Sequence, residues 1–470
     1  MTSPWPQVER WQLQTPKAYV HPWDQQNQDA VLSLEAKFQQ SDDHSPLQAE
    51  KLLDQLKWMR VVEERIMTME GLNYTANSTF QGTCIDMCPP LERIQRFAAK
   101  QVEPWELDHT TGVVGRYAAV KIVPVVADSV PLPSDVRPPW VLKLTVDYLV
   151  NCVATFLPRS YRYLWNAFGS VMQDFAWQRV YSPDTVYCCE RVLRFHLWSM
   201  HHMLPVTPAA TRHRQLGMFR RRLRLLSRVY WHMADADGNA AISPEFYGYY
   251  LLTNFDSEVD DEVILTPLAI QNHDYVQSAL ELRWFVALHD VEPTTDIGIT
   301  LDTYQWFFET VYGPRVPVLA ACLLEGYFDI IRYHGLRAMA SLASYKRVRL
   351  SCISRTLGFA DTADARMYIE NYGIAIDDNN TRFPEVVFDR DQMTKLQPRH
   401  WRRPAAKIRA KFDGMSPSQA MRPPAVIASS ASEDTDTDLY RRWLREWCRP
   451  DPAARDVVDP TVRPKPDLVG

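Results

Sequence analysis

The strongest constraint on the fold is a succession of apolar segments with helical spacing between residues 140 and 350. Each segment runs for roughly 12–20 residues with apolar side chains recurring about every 3.6 positions, which predicts amphipathic helices. The breaks between segments are short and are marked by Pro158, Pro183, Pro205 and Pro244. Long helices with short connections favour antiparallel pairs that stack into an array. The sequence therefore predicts an all-α, tetratricopeptide-like helical-repeat fold, although no repeat consensus of fixed period is present.

The pattern changes after Tyr345. Two short helical segments are followed by two alternating runs, GIAI and EVVF, which the turn-forming stretch DDNNTRFP joins. Such a pair of runs predicts a β-hairpin. Helix, helix and hairpin in this order form the layout of a winged helix, so we expect the helical array to end in a winged helix over residues 346–393.

Composition and punctuation suggest the remaining boundaries. The N-terminal residues show weak periodicity until Ser45 and Pro46, which are typical of the start of a helix. Small, polar and acidic residues dominate the C-terminal part, which favours disorder there, apart from a short amphipathic helix at 439–448. The predicted order is a poorly ordered leader (1–44), an N-terminal helix with an irregular segment (45–139), the helical-repeat domain (140–345), the winged helix (346–393), a basic tract (394–412) and a mostly disordered tail (413–470).

Composition and motifs argue against an enzyme. Only 16 of the 470 residues are glycine, whereas nucleotide-binding folds cradle phosphates on glycine-rich turns. The sequence contains no Walker A, dinucleotide-binding, nucleophile-elbow or HExxH motif. We therefore expect no catalytic residue, no cofactor and no enzymatic activity.

The sequence also gives no sign of membrane targeting. Its first residues lack a basic segment followed by an apolar one, and no window of about 18 consecutive apolar residues occurs. These features predict a soluble, intracellular protein with reduced thiols and no membrane insertion.

Two patterns resemble metal sites but lack necessary ligands. The loop from Asp235 to Phe246 begins with the oxygen donors of a calcium-binding loop, but alanine occupies its sixth position and phenylalanine its twelfth. We expect an ordinary turn between two helices there. Cys84 and Cys88 form a single CxxxC pair, whereas zinc requires further ligands at known spacings. Both cysteines are therefore predicted to be structural, and no metal is expected.

Two basic stretches interrupt a chain whose net charge is −5. Residues 211–228 carry seven arginines, and residues 394–412 carry seven lysines or arginines together with Trp401, both without an acid. Cations beside an aromatic ring suit phosphate neutralisation and base stacking. The first stretch is interpreted as a solvated or partner-contacting helix face, whereas the second suits RNA binding, nuclear import or both. The candidate RNA-binding residues are Arg399, Trp401, Arg402, Arg403, Lys407, Arg409 and Lys411.

One long string of residues is specific enough to suggest a family. The string FQGTCIDMCPPLER, residues 80–93, resembles the signature of the GANP, or leucine-permease transcriptional regulator, family of mRNA-export scaffolds. The matching residues are Gly82, Thr83, Cys84, Asp86, Met87, Cys88, Pro89, Glu92 and Arg93. Further matches follow in chain order at Leu132–Pro139, Asp174 with Gln178, Glu190–His196 and Glu245–Leu252. The chain departs from the family at Ala167, Gly169 and Met172, where the family usually carries arginines.

This resemblance implies a fold and a function. The fold would be a helical-repeat domain that ends in a winged helix of the PCI type. The function would be that of a scaffold in a transcription-coupled nuclear mRNA-export complex of the TREX-two type. The implied partners are a PCI-domain subunit, a small acidic subunit of the Sem/DSS type and RNA. The implied location is the nucleus, with association at the nuclear pore.

An alternative within the same family remains open. The larger members carry Phe-Gly repeats before this region and, after it, a helix that recruits adaptor subunits at the pore, and neither is visible in this sequence. The alternative is a short family member that acts at the centrosome or spindle in mitosis without an RNA role.

Overall fold

The computed structural model describes residues 22–41, 43–69, 81–107, 112–116, 118–122, 131–237, 243–254, 268–290, 301–341, 347–378, 384–389, 397–401 and 403–422. Helices dominate these residues, and the strands among them are short, which confirms the predicted all-α, helical-repeat fold. The chain divides between Val192 and Leu193 into two compact units, here called unit 1 and unit 2. The division falls inside a helix of the predicted helical-repeat domain.

Unit 1 is built from helices that mostly begin with proline. They are α1 (Pro22–Gln39), α2 (Pro46–Met69), α3 (Pro90–Ala98), α4 (Pro139–Asn151), α5 (Tyr161–Gln178) and the first half of α6 (Pro183–His202). Proline suits the first turn of a helix because its fixed φ is helical and its missing N–H would have no partner there. Short 3₁₀ turns at Pro104–Glu106, Pro133–Asp135 and Val153–Phe156 lie between these helices.

Unit 2 continues the helical pattern and then changes character, as the sequence predicts. After the rest of α6 come α7 (Ala209–Asp237), α8 (Pro244–Leu251), α9 (Leu268–Gln271), α10 (Asp274–Asp290), α11 (Leu301–Tyr312), α12 (Val318–Glu325) and α13 (Phe328–Ser341). The final part holds β1 (Arg347–Arg349), α14 (Leu350–Thr356), α15 (Thr362–Asn371), β2 (Ala375–Asp377), β3 (Glu385–Val387), α16 (Ala406–Lys411) and α17 (Pro417–Ala420).

The hairpin predicted from GIAI and EVVF is formed by β2 and β3. These strands are antiparallel, and Ile376 lies opposite Val386. A third strand, β1, pairs antiparallel with the other edge of β3, so that Val348 also lies opposite Val386. The order strand, helix, helix, strand, strand contains the predicted helix–helix–hairpin layout. We call residues 347–389 the helix–hairpin part.

Two segments are more ordered than the sequence suggests. Within the expected leader, residues 22–39 form α1, which packs on α2 and α3 and buries Phe38 and Glu35. Within the expected tail, residues 417–420 form α17, and the Met421 side chain is fully buried. The amphipathic helix expected at 439–448 lies outside the described residues. Among the helices that the structure describes, none is both long enough and apolar enough to cross a lipid bilayer.

Candidate functional site

The signature residues lie inside unit 1. The segment from Gly82 to Cys84 runs beside the segment around Val136, with the Cys84 amide donating to the Val136 carbonyl at 3.0 Å. A Cβ atom on Gly82 would lie 2.3 Å from that carbonyl oxygen, so only glycine allows this approach. The buried members of the signature are Gly82, Thr83, Cys84, Asp86, Cys88, Pro89 and Arg93, whereas Met87 and Glu92 are half-buried.

Arg93 is the centre of a buried charge cluster. Its guanidinium donates to both carboxylate oxygens of Glu35 at 2.6 Å and to Asp86 at 3.1 Å. A further bond reaches the Cys88 carbonyl at 2.9 Å. Arg116 donates to Asp86 at 2.9 Å, so that two arginines balance two carboxylates. Paired charges of this kind tolerate burial because each keeps its hydrogen-bond partners.

A second cluster is built on Arg96, one helical turn further along α3. Its guanidinium forms a two-bonded pair with Glu106 at 2.8 and 2.9 Å and also donates to the Val120 carbonyl. The Tyr163 hydroxyl donates to Glu106 at 2.9 Å. Tyrosine is protonated at neutral pH, and burial raises the pKa of Tyr163 further, so this phenol remains a donor in basic solution as well. The two clusters tie α1, α3 and α5 to the irregular segment between α3 and α4.

A third cluster is centred on Asp174. This fully buried carboxylate accepts from Lys121 at 2.8 Å and from Arg137 at 2.7 Å. Gln178, one turn later on α5, donates to the Arg137 carbonyl. Ala167 and Met172, where the family resemblance leads one to expect arginines, are buried and contribute apolar packing to the same helix.

Reasoning from sequence missed the distant members of these clusters. Glu35 lies 58 positions before Arg93 in the expected leader, and Lys121 lies 53 positions before Asp174. Neither has a local pattern that marks it. The signature's own spacing was the available signal, because it places Asp86, Glu92 and Arg93 close together in the chain.

Cys84 and Cys88 are buried, and their sulfur atoms already have partners. The Cys84 thiol contacts the Asp86 carbonyl at 3.3 Å, and Arg96 donates to the Cys88 sulfur at 3.6 Å. Burial raises the pKa of the Cys84 thiol to about 12 and that of Cys88 still further. Metal binding requires thiolates, which these surroundings disfavour. No group of three or more metal-ligating side chains occurs within the part of the chain that the structure describes.

We predict that Cys84 and Cys88 bind no zinc. Elemental analysis of the purified chain is expected to give no stoichiometric zinc, and Cys84→Ser is expected to leave the metal content unchanged. Cys352, a half-buried cysteine of α14, provides the matched control as Cys352→Ser. A zinc content near one per chain that disappears only in Cys84→Ser would refute this prediction.

Residues 238–242 of the Asp-rich loop lie outside the described residues, but the last carboxylate of the loop lies within them. Glu245 lies in the first turn of α8, which begins at Pro244 as expected. Its carboxylate accepts from Arg194 at 2.7 Å and from the Tyr249 hydroxyl at 2.8 Å. Glu245 therefore has a structural role within unit 2.

Six of the seven candidate RNA-binding residues lie in the part of unit 2 that the structure describes. Arg399, Arg403, Lys407 and Arg409 are exposed. Trp401 is half-buried with its ring edge-on to Tyr368 at 5.5 Å, and Lys411 is half-buried as well. Arg402 lies outside the described residues. The structure thus presents four of the seven candidates to solvent.

The other basic stretch forms part of α7. Arg222 is buried, whereas Arg214 and Arg221 are exposed. Arg212 pairs with Asp329 of α13 at 3.1 Å and contacts His400 of the basic tract at 3.0 Å. At least one of these arginines therefore fixes the basic tract to the helices.

Comparison with known proteins identifies relatives over most of the chain. A model of the SAC3/GANP family matches residues 87–378, more than half of the chain. SAC3 family protein 1 of Schizosaccharomyces pombe is 29% identical over 379 residues, which are 76% of this chain and 37% of the relative. Protein xmas of Drosophila melanogaster is 23% identical over 337 residues, 67% of this chain and 16% of the relative. SAC3 family protein B of Arabidopsis thaliana is 22% identical over 308 residues, 63% of this chain and 18% of the relative. The matched regions thus span at most 37% of the length of these relatives.

Proposed function

This chain belongs to the SAC3/GANP family, and on that premise we propose that it is a non-enzymatic scaffold subunit of a transcription-coupled nuclear mRNA-export complex. The observation that carries the proposal is the family match together with the buried signature. Three charge clusters use the signature and its neighbours to hold unit 1 together, so the residues that carry the resemblance have a structural role. The proposed location is the nucleus, including the nuclear pore.

We propose that the helix–hairpin part is a PCI-type winged helix that binds a PCI-domain partner subunit. Its order of strand, helix, helix and hairpin supports this assignment, and β1 and β2 form the edges of its sheet. A small acidic subunit of the Sem/DSS type is proposed as the third member. Affinity purification of the full chain from cells, followed by mass spectrometry, tests this proposal. Recovery of a PCI subunit and a small acidic subunit would support it, and recovery of neither would overturn it.

RNA is the proposed ligand of the basic tract. The four exposed cations Arg399, Arg403, Lys407 and Arg409 lie within eleven positions of one another, next to the half-buried Trp401. Lysine and arginine contacts to phosphate act by releasing counterions and carry no base information. RNA binding is therefore expected to show little sequence preference and a steep dependence on salt.

We predict a defined change in that salt dependence. Each phosphate contact on a single strand contributes a slope of about 0.7 in log K against log salt. The test is a quadruple variant in which glutamine replaces each of Arg402, Arg403, Lys407 and Arg409. The slope is expected to flatten by up to about 3 if all four side chains touch phosphate. The measurement is a salt titration of single-stranded RNA binding to the full chain.

A charge-matched control separates local contacts from net charge. Lys51, Lys57, Arg65 and Arg159 are exposed in unit 1, and their joint replacement by glutamine removes the same charge. This variant should keep the parental slope. If the tract variant binds RNA as the parent does but fails to enter the nucleus, the tract is an import signal and the RNA assignment is overturned.

A further inference from the structure

The described residues of the basic tract, 397–401 and 403–412, are fixed to the rest of unit 2, although the tract's composition suggests a solvated segment. It first contacts α15 of the helix–hairpin part. The Arg399 amide donates to the Tyr372 hydroxyl at 2.9 Å, and its guanidinium lies over the Tyr372 ring. Arg403 pairs with Asp364 of α15 at 2.9 Å. With Trp401 on Tyr368, these contacts hold one end of the tract against α15 and Tyr372, the residue that follows this helix.

The same tract also contacts α12 and α13. Asp329, the second residue of α13, accepts from the Trp401 amide at 3.1 Å. Glu325, the last residue of α12, accepts from the Ala405 amide at 2.6 Å and pairs through its other oxygen with His201 at 2.7 Å. Glu325 is only 5% exposed, so its bond to the Ala405 amide is shielded from water. The tract thus joins the helix–hairpin part to the preceding helices.

The tract ends in an anchor formed by three side chains of α16 and the residue after it. Ile408 is fully buried, and the Phe412 ring packs on the rings of His201 and His202 at 5.6 and 5.4 Å. The Lys411 ammonium donates to three carbonyl oxygens in the last turn of α11 and in the segment that follows it. These belong to Val311, Gly313 and Val316, at 3.0, 2.6 and 2.7 Å. A cation that binds the terminal carbonyls of a helix satisfies groups that otherwise lack partners and complements the helix dipole.

Lys411 and Arg409 therefore differ in role although they are two positions apart. The Lys411 ammonium has three hydrogens and makes three short contacts to backbone oxygens, which leaves no donor for phosphate. Arg409 is exposed on the same short helix. Lys411 stabilises the fold through its bonds to backbone carbonyls, whereas Arg409 is accessible to a ligand.

We propose that residues 397–401 and 403–412 form an intramolecular brace that fixes the helix–hairpin part to the helices of unit 2, and that Lys411 is a positioning residue of the brace and not an RNA ligand. The first half of this inference stands on the contacts alone. The second half rests on the proposed function, because it concerns which cations meet RNA.

Hydrogen exchange of the full chain tests the brace. Lys411→Met and Phe412→Ala each remove an anchor, and Arg409→Gln removes an exposed cation as the charge-matched control for Lys411→Met. Hydrogen bonds from charged groups typically stabilise enough that losing them speeds local exchange by about tenfold or more. We expect this acceleration for amides of residues 403–412 and of α15 in both anchor variants and no acceleration in Arg409→Gln. Unchanged exchange in both anchor variants would overturn the brace.

RNA binding by the same variants tests the positioning role. Arg409→Gln is expected to flatten the salt slope by about 0.7. Lys411→Met and Phe412→Ala are expected to weaken binding with the parental slope, since all exposed cations remain. A flatter slope in Lys411→Met without faster exchange would make Lys411 a ligand and overturn the assignment. If the parent binds no RNA, the proposed RNA function falls, while the exchange measurement still decides the brace.

Discussion

Replacing Asp174 with asparagine is expected to lower the free energy of unfolding by about 3–5 kcal/mol, the usual cost of breaking a buried ion pair on one side. Asp174 is fully buried and is the carboxylate shared by Lys121 and Arg137, themselves at most 2% exposed. Without its charge, both cations would keep only neutral partners, such as the Asp135 carbonyl and the Ser170 hydroxyl. Urea unfolding of the full chain, followed by tryptophan fluorescence, measures the loss.

Asp184 provides the matched control for this experiment. It pairs with Lys143 at 2.6 Å, a distance as short as those around Asp174, but both side chains are about two-fifths exposed. Exposed pairs contribute about 0–1 kcal/mol, so Asp184→Asn should change stability little. Equal losses in the two variants would mean that the Asp174 cluster is no more sensitive than a surface pair.

The sequence predicts the fold class well because the patterns that mark a helix lie within the helix itself. Apolar spacing of 3.6 and proline at the first helical turn identify most helices of both units, and alternation identifies the β2–β3 hairpin. Helix α1 was not predicted because its apolar residues form no clear stripe at helical spacing. Its burial depends on contacts with α2 and α3. Strand β1 was not predicted because its three residues, Arg347–Arg349, are too few to show an alternation of apolar and polar side chains.

The family signature was recognisable from its residues, and the family match confirms it. Its physical role was not predictable in the same way. Arg93 balances Glu35 from a helix 58 positions away, a pairing that no local spacing encodes. The same limit applies to the basic tract. Composition cannot distinguish Lys411, which binds backbone carbonyls, from Arg409, which is exposed.

Replacing Gly358 with alanine is expected to destabilise unit 2 by roughly 2–5 kcal/mol, the sum of two costs. Gly358 follows α14 with φ of +64°, a left-handed conformation that costs a residue with a Cβ atom about 1–2 kcal/mol. A Cβ atom there would also lie 2.3 Å from the Phe308 side chain of α11, and such overpacking typically costs about 1–3 kcal/mol. The Gly358 carbonyl accepts from Tyr312 and Arg332, which keeps the backbone from moving aside.

Gly373 separates these two costs, because it shares the conformation without the crowding. Its φ is +69°, and a Cβ atom would meet nothing within 4 Å. Gly373→Ala should therefore lose only the conformational part, about 1–2 kcal/mol. The difference between the two variants in urea unfolding isolates the contact of Gly358 with Phe308, which joins the helix–hairpin part to α11. If both variants lose the same stability, the Phe308 ring moves away at little cost, and this contact does not fix the position of the helix–hairpin part.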